Sequence, residues 1–150
     1  MSVDSEVVFQ FYKNNQPFIM RIYMHDLPKN LKYAITHEWA QQEDDNVVRV
    51  GITDFAQQAL GDLVYIQLPE VGREVATNEQ CAVVESVKTA SDLFSPVAGT
   101  IIAFNELLLD EPEQVNDSPY QTWLFCVKAN DLSDLDALMD ADAYQVMIEQ

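Results

Sequence analysis

From Leu31 onward the chain alternates short apolar runs with closely spaced turn residues, the pattern of a mainly β domain. The runs predict strands over residues 32–36, 39–42, 47–52, 63–68, 80–85, 90–94, 100–105 and 123–128. Thr53 is placed to cap a short helix through Leu60, and Gly61 to end it in the left-handed conformation that other residues resist. Toward the end the apolar positions change to helical spacing. Ser133 is the expected cap of a turn carrying Leu135, Leu138 and Met139, and Asp140 that of a helix carrying Ala143, Tyr144, Met147 and Ile148. This stripe reads as a helix packed on the sheet. Residues 109–120, acidic and interrupted by Pro112 and Pro119, read as a long surface connection.

An internal echo refines the architecture. PEVGREV and PVAGTII repeat the same proline and glycine positions, Pro69 and Gly72 recurring as Pro96 and Gly99 with a displacement of 27 residues. Each pair is expected to turn one strand into the next, proline fixing φ and glycine accepting positive φ. Two such units related by a pseudo-twofold axis make a small flattened barrel rather than an open sheet. Trp39, Val83, Ile101 and Trp123 are expected in its core. The front segment differs: its aromatic alternation at Phe9, Phe11, Phe18 and Tyr23 is compatible with one extra strand, ending just before Met24 and a leader containing Pro28. Residues 1–30 are therefore set apart as an extension, either added ahead of the domain or untranslated if synthesis starts at Met24, and residues 31–150 as one domain.

Composition removes several classes of function. Against 25 Asp and Glu stand 8 Lys and Arg, a formal net charge of −17. Nucleic acid and anionic membrane surfaces need clustered cations, so neither is an expected partner. No apolar run is long enough to span a bilayer, and the front segment has neither the apolar core of a secretory signal nor the arginines of a mitochondrial presequence. A soluble, cytoplasmic monomer is expected. Cys81 and Cys126 both stand in apolar surroundings, as buried free thiols do, and no spacing pairs either with His25 or His37 as a nucleophile and base. There is no CxxC pair, HExxH or EF-hand loop, so no zinc or calcium site is expected.

One cation stands out by position. Lys88, in ESVKTASD, is the one Lys or Arg between Arg73 and Lys128. A hairpin with residues 86–89 at its tip thrusts its ammonium into solvent, where a modifying enzyme can enclose it without unfolding the chain. Position alone leaves an ordinary surface lysine as the simpler reading.

The surrounding words change that weighting. GITDFAQQALGDLVYIQLPEVGREV and CAVVESVKTASDLFSPVAGTI, flanked by KYAITHEW and VNDSPY and followed by a Leu- and Asp-rich ending with DADAYQ, closely resemble the glycine cleavage system H protein family. The resemblance runs from Leu31 to the C-terminus in the family's order. It implies a barrel-sandwich hybrid of two antiparallel sheets, of the lipoyl/biotinyl-carrier type, with short peripheral helices and a C-terminal helix. It also implies that Lys88 carries lipoic acid in amide linkage. The chain is then a non-catalytic carrier whose chemistry belongs to its cofactor. The implied partners are glycine decarboxylase (P protein), which loads an aminomethyl group, aminomethyltransferase (T protein), which removes the methylene unit to tetrahydrofolate, and dihydrolipoyl dehydrogenase (L protein), which reoxidises the arm. A lipoate ligase or a lipoyl/octanoyl transferase attaches the cofactor.

The loaded arm ends in a cationic amine that must be sheltered from water. Glu38 in HEW and Asp92 in KTASD match the family's motifs and are the candidate carboxylates flanking its groove, with His37 structural. Glu85, three residues before Lys88, is the candidate recognition residue for the lipoylating enzyme. The chain departs from the family where Asn78 replaces a glycine before the modification strand, and where PYQTW lacks a glycine near the tryptophan.

Other readings are set against this assignment. A biotinyl domain places methionines beside its lysine, whereas Val87 and Thr89 stand here, and acyltransferase lipoyl domains lack the HEW and VNDSPY flanks. A lipoyl relay, donating its group to other enzymes, is compatible with the same lysine as an additional role. A self-contained enzyme using Cys126 or Cys81 with a histidine lacks a recognisable nucleophile and base, and the acidic surface alone defines no partner for an unmodified interaction module.

Overall fold

The computed structural model describes residues 5–24 and 27–150, and His25 lies outside the described residues. Two strands, β1 (Ser5–Lys13) and β2 (Gln16–Met24), form an antiparallel hairpin where the aromatic alternation suggests one strand. The overlooked signal is Asn14-Asn15. Both take positive φ, 53° and 62°, which is the two-residue turn matched to strand twist and one that asparagine tolerates.

Two further sheets carry the rest of the chain. One has six antiparallel strands in the order β3 (Lys32–Tyr33), β4 (Glu38–Gln42), β5 (Val47–Ile52), β11 (Phe125–Ala129), β10 (Gly99–Phe104) and β7 (Glu74–Val75). The other has three, with β8 (Gln80–Ser86) between β6 (Leu63–Gln67) and β9 (Ala90–Phe94). Their inner faces share one core: Val48, Val50, Ile52, Ile101, Phe125 and Val127 from the larger sheet join Leu63, Ile66, Ala82, Val84 and Leu93 from the smaller. Each Val, Leu, Ile or Phe side chain so removed from water contributes roughly 1.5–3 kcal/mol. The opposite face of β3 and β4 holds a second cluster, Leu31, Tyr33 and Trp39, covered by Ala141 and Tyr144 of helix α4 (Ala141–Ile148). Neighbouring residues Trp39 and Ala40 thus serve opposite faces, as strand alternation requires.

The 27-residue echo has a structural counterpart. β7 and β10, the strands that follow the two turns, pair with each other through Gly99 and Val75, and the Gly72 N–H donates to the Ile101 carbonyl at 2.8 Å. The expected glycine chemistry holds for one turn only. Gly72 has φ 95°, but Gly99 has no positive φ. Gly99 is needed for close approach instead, because a Cβ there would lie 2.0 Å from the Lys128 carbonyl oxygen.

Other boundaries also move. β3 ends at Tyr33 rather than residue 36, because the His37 N–H turns back to the Ala34 carbonyl at 3.0 Å and His37 takes φ 78°. Strand β11 starts at Phe125, leaving Trp123 half-buried beneath the Arg49 guanidinium, 5.5 Å from its ring centre. Val83 is likewise half-buried, since Val84 takes the inward position on β8, whereas Trp39 and Ile101 are core. Residues 109–120 are not a bare connection: helices α2 (Leu107–Asp110) and α3 (Gln114–Asp117) form around buried Leu108 and Val115. Asp131, not Ser133, caps the 3-10 helix Leu132–Ala137, accepting the Ser133 N–H at 2.9 Å. Asp140 caps α4 as expected, accepting from Ala143 N at 2.8 Å.

Candidate functional site

Strands β8 and β9 meet at a tip made by Ser86, Val87, Lys88 and Thr89. The Ser86 N–H donates to the Thr89 carbonyl at 2.8 Å, and neither Val87 nor Lys88 takes positive φ. Glycine is dispensable because a side chain finishes the turn. The buried Ser86 hydroxyl accepts from Lys88 N at 3.3 Å and Thr89 N at 3.2 Å, and donates to the Thr89 carbonyl at 3.3 Å. The Lys88 side chain is exposed. Its end lies over Gly61: a Cβ there would sit 3.5 Å from Cε and 3.9 Å from Nζ.

Gly61 belongs to a corner that braces the tip. Helix α1 (Asp54–Leu60) is capped by Thr53, whose hydroxyl accepts from Ala56 N at 3.2 Å, and ends at Gly61, φ 83°, as its sequence predicts. The next carbonyl, that of Asp62, accepts the Val87 N–H at 3.3 Å. Asn116, from the VNDSPY segment, fixes both sides of this corner. Its Oδ1 accepts from Leu63 N at 3.0 Å, and its Nδ2 donates to the Gly61 carbonyl and to Gln57 Oε1, each at 2.9 Å. Neither Ser86 nor Asn116 is singled out by sequence reasoning, since the motifs contain them without indicating what they bond.

Glu85 is exposed on β8, opposite Tyr65. Asp92 is exposed on β9, opposite Val83 and between Lys88 and Phe94 in the chain. Glu38 is different, being 1% exposed. The Phe94 N–H donates to its Oε2 at 3.1 Å, and the Thr36 hydroxyl donates to its Oε1. Burial outweighs these bonds and pushes its carboxyl up to about 7. Thr36 and Phe94, the residues that hold Glu38, also line an open cavity of about 420 Å³ with Tyr33, Ile35, Pro96 and Met139. The structure thus joins Glu38 to the strand carrying Asp92, but leaves one carboxyl interior and the other in water.

His37 is held among aromatic side chains. Its Nδ1 lies 2.7 Å from the Tyr144 hydroxyl, its ring packs 4.8 Å from that of Phe55, and burial lowers its pKa. The same Tyr144 hydroxyl lies 2.8 Å from Thr53 Oγ1, and its ring stacks on Tyr33 at 4.8 Å. Both thiols are buried, which pushes Cys81 up to about 12 and raises Cys126, so both remain protonated and poorly nucleophilic at neutral pH. Among the described residues no helix is long and apolar enough to cross a membrane.

Facing antiparallel sheets with a lysine at a hairpin tip make this a barrel-sandwich hybrid of the lipoyl/biotinyl-carrier type. Comparison with known proteins narrows the class. The family Glycine cleavage H-protein matches residues 31–150. The chain is 57% identical over 127 residues to a glycine cleavage system H protein of Methylococcus capsulatus, covering 85% of this chain and 100% of that protein. It is 53% identical over 127 residues to one of Teredinibacter turnerae, covering 84% and 98%. The crystal structure of a glycine cleavage system H protein from Mycobacterium marinum superposes with a TM-score of 0.76 at 38% identity, covering 83% of this chain and 100% of that one. The chain belongs to the glycine cleavage H-protein family.

Proposed function

We propose that residues 31–150 are a lipoyl-bearing carrier domain of the glycine cleavage system, with lipoate in amide linkage to Lys88 and residues 1–30 an extension outside it. The observation that carries the assignment is the exposed Lys88 side chain on a tip held by Ser86. Such a site fits an acylated lysine. The tip is already bonded internally, and the side chain lies over a glycine rather than against a bulky neighbour. In acylation the unprotonated Nζ attacks the carbonyl of an activated acyl donor, and the amide forms as the activating group departs. A lipoate ligase or a lipoyl/octanoyl transferase supplies that donor.

The lipoyl group, when bound, supplies a dithiolane that takes up the aminomethyl unit of glycine and carries two electrons. The chain's own residues position and shelter it. Ser86 and the Asp62 carbonyl hold the tip, and Glu85 is presented to the lipoylating enzyme. Glu38 and Asp92 are the carboxylates assigned to the cationic amine in transit, Glu38 acting from behind Thr36 and Phe94. Burial opposes ionisation of Glu38, and a cation brought against it favours the carboxylate, so the two events are coupled. The carrier has no catalytic role of its own. It is a cytoplasmic monomer that serves glycine decarboxylase, aminomethyltransferase and dihydrolipoyl dehydrogenase in turn.

Intact-mass and peptide mapping of protein from cells growing on glycine test the assignment. A lipoyl increment on Lys88, and loss of glycine–bicarbonate exchange in Lys88→Arg, are expected. Biotin at Lys88, or a bare lysine in cells whose glycine cleavage is active, overturns it.

A further inference from the structure

β6 is an outer strand of the three-stranded sheet, and it is irregular beside the tip. Leu63 pairs with Ser86 and Tyr65 with Glu85, so Val64 is an extra residue opposite no partner. In a regular strand Tyr65 would follow Leu63 inward. The bulge turns it outward beside Val64 and restores Ile66 to the core. Val64 and Tyr65 are 54% and 52% exposed. Val87, at the tip two residues beyond Glu85, is 77% exposed. Tyr65 therefore stands in water opposite Glu85, with Val64 beside it on β6 and Val87 exposed at the tip next to Lys88. Bulges of this kind are retained where they re-aim a side chain.

We propose that Val64, Tyr65 and Val87, with Glu85, form the docking surface for the enzyme that acylates Lys88. The proposal rests on the carrier assignment above. Reach selects this occupant over the enzymes that act on the finished arm. Before acylation the reacting atom is Nζ, at the end of a four-methylene stem, so the acylating enzyme must close over the tip and its immediate flank. Val87 is the adjacent residue, and Tyr65 stands across the strand from Glu85. After acylation the reacting end is displaced by a whole acyl chain, and an enzyme engages it without covering the flank. Charge restricts the partner further. Glu85 opposite Tyr65, on a chain of net charge −17, fits an enzyme surface that is apolar around a cation.

The test uses apo full-length chain as substrate for a lipoate–protein ligase with lipoate and ATP, with acylation followed by intact mass. The double variant Val64→Ser/Tyr65→Ser and the single variant Val87→Ser are compared with Val146→Ser, an exposed site on α4. The first two are expected to raise KM for the apo chain about tenfold, with kcat within about twofold, as truncation of a central contact residue does. Val146→Ser is expected to leave KM unchanged. After exhaustive lipoylation, glycine–bicarbonate exchange with glycine decarboxylase is expected to match wild type. Unchanged KM in both patch variants overturns the docking surface, as does an equal loss in the exchange reaction, which would give the patch to the decarboxylase. Failure of both the ligase and an octanoyl transferase given its octanoyl carrier donor to acylate wild-type Lys88 overturns the carrier assignment itself, and the patch with it.

Discussion

Asn116 is bonded to Gly61: its Nδ2 donates to the Gly61 carbonyl at 2.9 Å while its Oδ1 accepts from Leu63 N at 3.0 Å. One amide thus closes the corner on which the lysine tip leans. Asn116→Asp keeps the acceptor and loses the donors, and sets a carboxylate against two oxygens. Equilibrium urea unfolding is expected to show a loss of about 2–3 kcal/mol, with slower acylation of Lys88. Stability and acylation both equal to wild type would show that the corner does not depend on this side chain.

Ser86 offers a second point of intervention. Its hydroxyl is the acceptor for two N–H groups at the tip, so Ser86→Ala leaves them without that partner. Water replaces part of the loss because Lys88 and Thr89 are exposed. The expected cost is about 1–2 kcal/mol, read as a lowered denaturation midpoint, with faster amide hydrogen exchange confined to residues 86–89.

Glu38 makes stability depend on pH with a definite sign. Its ordinary value is 4.5 and burial raises it to about 7, so the folded chain retains a proton that the unfolded chain releases. Stability therefore falls as pH rises from about 4.5 to about 7, by about 3 kcal/mol from this residue, and levels off above. Glu38→Gln keeps an acceptor for the Phe94 N–H and a donor toward Thr36. The difference in unfolding free energy between variant and wild type should grow across that interval in favour of the variant. A pH-independent difference would refute the assignment of the proton to Glu38.

Tyr144 ties α4 to both His37 and Thr53 through one hydroxyl. Tyr144→Phe preserves the stacking on Tyr33 and removes these bonds. A loss of about 1–2 kcal/mol is expected in thermal or chemical unfolding. His37 adds a pH signature: burial lowers its folded pKa, so its stabilising contribution is present above the ordinary value of 6.5 and declines as pH falls below it. In His37→Gln that acid-side decline should be smaller.

Much of the scaffold was legible because strand alternation and capping are local. Thr53, Gly61 and Asp140 each act within a few residues of themselves, and each does what its position predicts. The tip was legible for the same reason. What stayed hidden depends on distant partners. Nothing near Gly99 announces the Lys128 carbonyl against it. Nothing in HEW tells that Glu38 is interior, because its burial is set by Phe94, 56 residues away. Helices α2 and α3 were masked by acidic residues and prolines, which describe their outward sides, whereas Leu108 and Val115 fix them to the core.

With Lys88 as the proposed root of the arm, the serine-bound tip also governs how delivery is metered. A tether rooted at a fixed point confines its far end to a shell whose volume depends on the tether's length alone, and that volume sets the effective concentration offered to any docked catalyst. A floppy root would widen the shell and dilute the cargo at every stop. By anchoring the pivot with a hydroxyl instead of leaving it to glycine, the chain keeps all of its slack in the arm.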